Sequence, residues 1–418
     1  MKISLNKLII ISFFFIIILS PINYKIISFI RPADLILFFF SLILLTKIQI
    51  KRDYLILITL PITIIIFSTL LSFNDYKEEF LSSSIFLYKL IIIYIVIMGT
   101  IYVCENGKAE KLNKILFLIF IFLIIYSFIY SAMIYFEFIV GNKRISYPFT
   151  GYEDRLRSDA HLYGNYLVLN LIIYVLYWIK KFNHSFITSL AIQVTCISAI
   201  VLTGSKNPLL ILILFYSGLL SIYLYKNLLL KINLWKALYI FLFFILLYFL
   251  YILFDQYIEY LYYLLVDFIY TNQYHLLVTR VLYFIQNPFN DDSALGRINN
   301  LIYALQISEP YYFIFGKGLN GEFRFFDGIH SVVIALGGLS LLFVFIINFA
   351  LILGKIIFVK KFNSYKILFL IFIFFVLLSN LITEFIFVTR WMIPIISIST
   401  ILYFHSFENY KIKEKHVS

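Results

Sequence analysis

Long apolar runs recur from one end of the chain to the other, broken by short charged or turn-rich stretches. A helix that crosses a hydrocarbon core needs about 20 apolar residues, and runs near that length predict helices rather than strands. Twelve are predicted, at 8–22, 33–46, 54–73, 85–104, 115–138, 162–179, 186–203, 209–225, 237–254, 331–353, 367–387 and 392–405, the second being the shortest reading. The expected fold class is therefore an all-α polytopic membrane protein of about 12 transmembrane helices. Lys2 and Lys7 ahead of the apolar run from Leu8 to Leu19 imitate a signal peptide. No small-residue cleavage site follows, so the run is read as the first span. Composition agrees: 62% apolar residues, 13% charged and a mean hydropathy of +0.96 exclude an ordinary soluble domain.

Charge then orients the helices. Alternate connections carry 20 of the 34 basic residues, among them Lys51, Arg52, Lys108, Lys111, Lys114, Lys180, Lys181, Lys360 and Lys361, against only five acids. Basic loops stay in the cytoplasm, so those segments and both termini are expected there, with a net charge of +15 against −3 for the rest. The overall +12 is thus explained by topology and gives no sign of a nucleic-acid partner. Arginine goes the other way. Eight of the nine fall on the outer side, and the third and fifth outer loops hold six of those eight.

The expected organisation is helices one to nine over 1–254, with an outer loop at 139–161, then a large extracytoplasmic loop at 255–329. Helices ten to twelve follow over 330–405, and a cytoplasmic tail over 406–418. Residues 256–263 mix aromatics with carboxylates, as a helix lying on the bilayer surface does. Asp291, Asp292 and Ser293 can cap a helix running through Arg297 to Ile307, which Pro310, Gly316, Gly318 and Gly321 are expected to end before a turn-rich stretch up to His330. Cys104 and Cys196 fall in different spans, with no metal-ligand spacing. No internal repeat, P-loop, GxGxxG or GxSxG is present, which weakens ATP-driven transport and serine hydrolysis as readings.

The remaining chemistry lies in the outer charges. Arg155 and Arg157 either pair with Glu153, Asp154 and Asp159 or, two apart on an extended segment, face the same way and grip a diphosphate. Arg280, Arg297 and Arg324 are either solvated or part of the same anion site; near the start of its expected helix, Arg297 would act together with the dipole. Lys206, in the turn Thr203-Gly204-Ser205-Lys206, joins that site or snorkels. His330 puts an imidazole just before span ten, where it can take a proton from a sugar hydroxyl with Asp327 orienting it, or serve structure alone. Glu384 is the most embedded carboxylate, with Arg390 or Lys89 as a pairing partner. Arg31 and Asp34 are expected to interact locally at the start of span two.

These stretches carry a resemblance. Arg157-Ser158-Asp159-Ala160-His161-Leu162-Tyr163-Gly164-Asn165, Leu202-Thr203-Gly204-Ser205-Lys206, Ser293-Ala294-Leu295-Gly296-Arg297, Phe315-Gly316-Lys317-Gly318, and His330-Ser331 leading to Gly337-Gly338-Leu339 are together similar to the O-antigen polymerase and O-antigen ligase superfamily. The likeness covers about residues 140 to 350, and the order of the short motifs is its specific part. Lys206 stands where the family usually has arginine, and Asp159 and His161 stand where small residues are commoner. Either Arg155 or Arg157 can be the matching arginine.

The resemblance implies a GT-C-like glycosyltransferase acting at the outer face of the bacterial cytoplasmic membrane on an oligosaccharide linked to undecaprenyl diphosphate. His330, Arg297 and Arg157 would carry the chemistry, and Arg155, Arg280, Arg324 and Lys206 would bind diphosphate or sugar. Membrane lipid, a chain-length regulator and a flippase are the implied partners, and neither a cofactor nor a metal is expected. A polymerase joins repeat units to a growing chain, whereas a ligase moves the finished chain to lipid A core. Two sizeable outer loops favour the polymerase. A lipid-linked oligosaccharide flippase is the rival from another class, and it would place polar groups on broken helices at mid-membrane.

Overall fold

The computed structural model describes residues 4–22, 31–45, 52–72, 80–136, 160–227, 310–320, 329–358, 364–382 and 389–414, with a few isolated positions between them. Among these residues every regular element is a helix, and no strand occurs. In chain order they are α1 (Leu5–Leu19), α2 (Pro32–Leu45), α3 (Arg52–Leu71), α4 (Phe80–Glu105), α5 (Ala109–Tyr135), α6 (Ala160–Lys181), α7 (Phe186–Leu202) and α8 (Lys206–Asn227). The short α9 (Pro310–Phe315), α10 (Ile329–Phe358), α11 (Ser364–Ile382) and α12 (Thr389–Glu414) follow. Four helical stretches are long and apolar enough to cross a membrane by length and composition: α5, α6, Lys206–Tyr223 of α8 and Val333–Leu351 of α10. Seven shorter apolar helices accompany them among the described residues, and the architecture is that of a helical membrane protein.

Eleven of the predicted segments overlap helices, although α5 begins six residues before 115 and α12 runs on to Glu414 instead of ending at 405; the ninth, at 237–254, lies outside the described residues. Their exteriors explain the composition. Leu118, Ile129, Ile213, Phe343 and Phe374 stand exposed on helix faces that in water would be an aggregation hazard and in lipid are ordinary.

α6 is the exception, because it is apolar and polar together and almost wholly enclosed. Buried residues make up 83% of its spanning stretch, against 22% for α8. α5, α7, α8, α11 and α12 all pack on it. Two connections are tight enough to fix their neighbours as antiparallel. Residues 182–185 join α6 to α7, with Ser185 capping α7 by accepting from the Thr188 N–H at 3.2 Å, and residues 203–205 join α7 to α8. The bundle end at which α6 begins and α7 ends is called the upper end below.

Side chains along α6 register it against its partners. The Tyr163 hydroxyl donates to the Leu123 carbonyl of α5 at 2.6 Å and lies 2.7 Å from the Ser127 hydroxyl. At the lower end, Asn113 Nδ2 donates to the Tyr177 hydroxyl at 3.2 Å, and Phe117 stacks on Tyr174. These lower contacts fall on a π turn, Tyr174–Trp178. Trp391, in the first turn of α12, packs at a tilt on Tyr166 with ring centroids 4.5 Å apart, so α12 begins at the upper end beside α6.

Pro310 begins α9, as proline does where the first N–H needs no partner, while the helix expected from Arg297 to Ile307 lies largely outside the described residues. His330 sits in the first turn of α10, which starts at Ile329, ahead of the Val333–Leu351 stretch that is long and apolar enough to cross a membrane.

Candidate functional site: two glycine-built joints

Two places bring together residues far apart in sequence. The first is the upper-end turn between α7 and α8. Thr203, Gly204 and Ser205 are buried there, and the Thr203 and Gly204 N–H groups donate to the Ile200 and Val201 carbonyls at 3.1 and 2.8 Å. The last carbonyls of α7 are satisfied in this way, with Gly204 supplying the positive φ of 57°. Lys206 and Asn207 open α8, both half-buried, and Asn207 Nδ2 donates to Asn165 Oδ1 of α6 at 3.1 Å.

Close approach of α6 and α8 depends on Gly164. A Cβ there would meet the Pro208 ring and, at 3.0 Å, the Thr203 hydroxyl. Loop three also reaches this turn, because the N–H of buried Ile145 donates to the Leu202 carbonyl at 3.4 Å. Lys206 therefore shares one joint with the start of α6 and a residue of loop three. A lysine at the positive end of a helix dipole is unfavourable by itself, and the two positive ends add at any anion nearby.

The second joint is built on Gly316-Lys317-Gly318. α9 ends at Gly316, whose N–H donates to the Tyr312 carbonyl at 2.7 Å, and both glycines take positive φ, 71° and 59°. The turn is held from two sides. On α3, the Ser68 hydroxyl donates to the Phe315 carbonyl, Ser72 Oγ donates to the Lys317 carbonyl at 2.6 Å, and Thr69 Oγ1 accepts from the Leu319 N–H at 2.9 Å. On α10, the Lys317 N–H donates to the Ala335 carbonyl at 3.0 Å.

At Gly338, α10 itself breaks, with φ 59° and ψ −156°, and the end of α9 fills the break. A Cβ on Gly316 would fall 2.6 Å from the Gly337 and Gly338 nitrogens, and one on Gly318 would fall on the Thr69 backbone. Here glycine is required by contact as well as by φ. The Lys317 ammonium rests 4.9 Å from the centre of the Tyr312 ring, a cation–π contact.

Compared with protein families, with curated proteins and with solved structures, the chain matches none. What it could do is therefore argued from these joints and from the sequence.

Of the candidate site residues, Lys206 lies in the first joint and His330 in the first turn of α10, the helix whose break forms the second. Arg155, Arg157, Arg280, Arg297 and Arg324 lie outside the described residues, as do Asp327 and Glu384. At the start of α2 the Arg31 N–H donates to Asp34 Oδ2 at 3.1 Å, the half of a capping box in which an acid reaches back to the cap. Cys104 and Cys196 are buried free thiols. Among the described residues no three His, Cys, Asp or Glu side chains group closely enough to hold a metal ion.

Asn165 and Lys317 fall inside the resembling motifs with no role attached, and Asn207 follows directly after one of them. Asparagine inside an apolar helix is a usable signal, since an amide in hydrocarbon needs a partner. Ser68, Thr69 and Ser72 gave none, because hydroxyls in a span commonly bond their own helix, as Thr69 Oγ1 also does to Ile65 at 2.7 Å.

Proposed function

We propose that the chain polymerises undecaprenyl-diphosphate-linked oligosaccharide repeat units into O-antigen or a related surface polysaccharide at the outer face of the bacterial cytoplasmic membrane. In this reading it spans the membrane about twelve times, with its basic loops inside. The observation that supports it most is pairing between the resembling segments. Gly164 and Asn165 meet the turn at Thr203–Pro208, and Gly316-Lys317-Gly318 meets Gly337-Gly338. Four short motifs strung over some two hundred residues thus fall into two joints, which a chance likeness would not require.

The chemistry asked of them is glycosyl transfer. The bond from the anomeric carbon to the donor diphosphate breaks while the acceptor hydroxyl attacks that carbon. His330 takes the hydroxyl proton, and Arg157, Arg297 and the cations beside them neutralise the departing diphosphate. Deleting the gene in its host and sizing the surface glycan tests the reading. Lipid A core bearing a single repeat unit is expected. Bare core with finished polymer left on its lipid carrier at the outer face would replace polymerase by ligase, and unchanged glycan would end both.

One observation favours a second reading, a lipid-linked oligosaccharide flippase. The break in α10 at Gly338 and the fully buried Asn165 and Asn170 are the kind of interrupted, polar interior that transporters use. A flippase deletion would leave core without repeat units and retain lipid-linked units on the cytoplasmic side, where external glycan-binding probes cannot reach them.

A further inference from the structure

We propose that residues 310–320 are a releasable strap, and that α10 has two forms: broken at Gly338 while the strap is docked, and unbroken when it withdraws. The break needs a cause outside α10. Sharp breaks in helices arise at proline, at glycine pairs, or where another group inserts into the hydrogen-bond ladder. α10 contains no proline, and Gly337-Gly338 permits a break without requiring one, since glycine also takes ordinary helical angles. What enforces the φ of 59° and ψ of −156° at Gly338 is the main chain of α9 pressed against it. A Cβ on Gly338 would fall on the Ile314 carbonyl.

Strap and unbroken ladder also compete for one acceptor. The Ala335 carbonyl takes the Lys317 N–H at 3.0 Å, and in a continuous helix that carbonyl takes the N–H four residues on, at Leu339. Docking therefore replaces a bond of α10 with a bond to the strap.

On α3 the same duplication is repeated. Ser68 has one hydroxyl proton and two carbonyls in reach, Phe315 of the strap and Ile64 of its own helix at 2.7 Å. Ser72 has the same choice, between Lys317 at 2.6 Å and Thr69 at 3.3 Å. Thr69 gives its proton to Ile65 at 2.7 Å and offers the Leu319 N–H only a lone pair, at 2.9 Å. Hydroxyls on helices commonly have such a fallback; here all three that hold the strap have one. Release leaves none of these three protons without an acceptor.

The strap itself loses more. Its Phe315 and Lys317 carbonyls and its Lys317 and Leu319 N–H groups all give up partners, and the buried Tyr312 and Leu319 side chains come out, so the docked form is the resting one. Residues 329–337, the arm of α10 before the break, include His330. The two forms place that residue differently.

The test uses the purified full-length chain in detergent. Leu319→Cys places a thiol on the buried face of the strap, and its alkylation by N-ethylmaleimide, read on its own peptide by mass spectrometry, reports withdrawal. Ser68→Ala combined with Ser72→Ala removes two bonds that hold the strap while changing neither α9 nor α10, and should speed that alkylation about tenfold. Spin labels at Ser331→Cys and Leu351→Cys read α10, since an unbroken helix sets these positions about 30 Å apart. The parent should show mainly the spacing of the broken form, and the paired serine variant should gain a component at about 30 Å. Gly338→Ala, whose side chain opposes a φ of 59°, should move most of the population there.

Alkylation that is unchanged in the paired serine variant overturns the proposal. Faster alkylation with an unchanged spin-label distance overturns it too, because the strap would then move without α10. Hydrogen exchange on the parent needs no variant: amides of 315–320 should exchange as one group, ahead of those of α3 and α10 that flank them. Exchange of all three segments in a single step would leave the strap a fixed part of the bundle and end the proposal.

Discussion

Asn207 of α8 donates its amide to Asn165 Oδ1 of α6, so one hydrogen bond joins residues 42 positions apart at the upper end of the bundle. Asn165 is completely enclosed, and Asn207 Oδ1 is buried without a hydrogen-bond partner among the described residues. The bond both fixes the spacing of the two helices and leaves one acceptor unused beside Lys206. In a bundle whose helices gain nothing from hiding apolar surface from lipid, such a bond is one of the few terms that choose a partner.

Replacing Asn207 by Ala should remove this bond to Asn165 Oδ1 and lower stability by about 1 to 3 kcal/mol. Thermal unfolding in detergent measures it. Because both variants break the same bond, Asn165→Ala and the double variant should not add; additive losses would show that the two amides act separately.

Gly318→Ala should be among the most damaging single changes outside the spans. Its φ of 59° costs a side chain about 1 to 2 kcal/mol, and the added Cβ has the Thr69 backbone in its way. Loss of a monodisperse peak on size exclusion is expected for Gly318→Ala, whereas Thr69→Ser, which keeps an acceptor for the Leu319 N–H, should elute as the parent does.

The helices were legible because a span announces itself by composition alone. α5 and α11 need nothing beyond their own apolar residues to be found. The joints were not legible, for a physical reason: Thr69 and Leu319 are 250 residues apart, and no local pattern in either segment encodes the other. Pro310 shows the ambiguity in small form, since a proline that stops one helix is an equally good first residue for the next. Gly338 was visible as half of a glycine pair, but its positive φ follows from α9 filling the space beside it. Asn165 could have been singled out from the sequence, being an amide in an apolar run; its partner could not.

Lys206→Arg should keep or raise turnover on a lipid-linked repeat unit, because a guanidinium adds a bidentate grip to the same charge. Lys206→Gln should lower it about tenfold. The comparison is made by gel ladder or mass spectrometry of the polymer at fixed time. Equal rates for Gln and Arg would leave Lys206 as a residue of the turn alone.

His330→Ala and Arg297→Ala should each reduce polymerisation by about a hundredfold or more, the scale of losing a proton acceptor or a charge clamp. The assay is run with a chelator, and the parent should keep its rate there. Near-parent turnover in either variant would remove that residue from the chemistry.

The π turn at Tyr174–Trp178 gives α6 one residue more than a regular helix would fit there. One extra residue advances the helix by about 100° about its axis. Tyr163 and Tyr166 above it, set against Trp391, therefore have a phase that Trp178 at its lower end, set against Phe117 and Phe120, does not share. The helix behaves as two keys cut on one shank. A single-residue deletion between 174 and 178 would leave every side chain chemically intact, yet turn one key out of its lock.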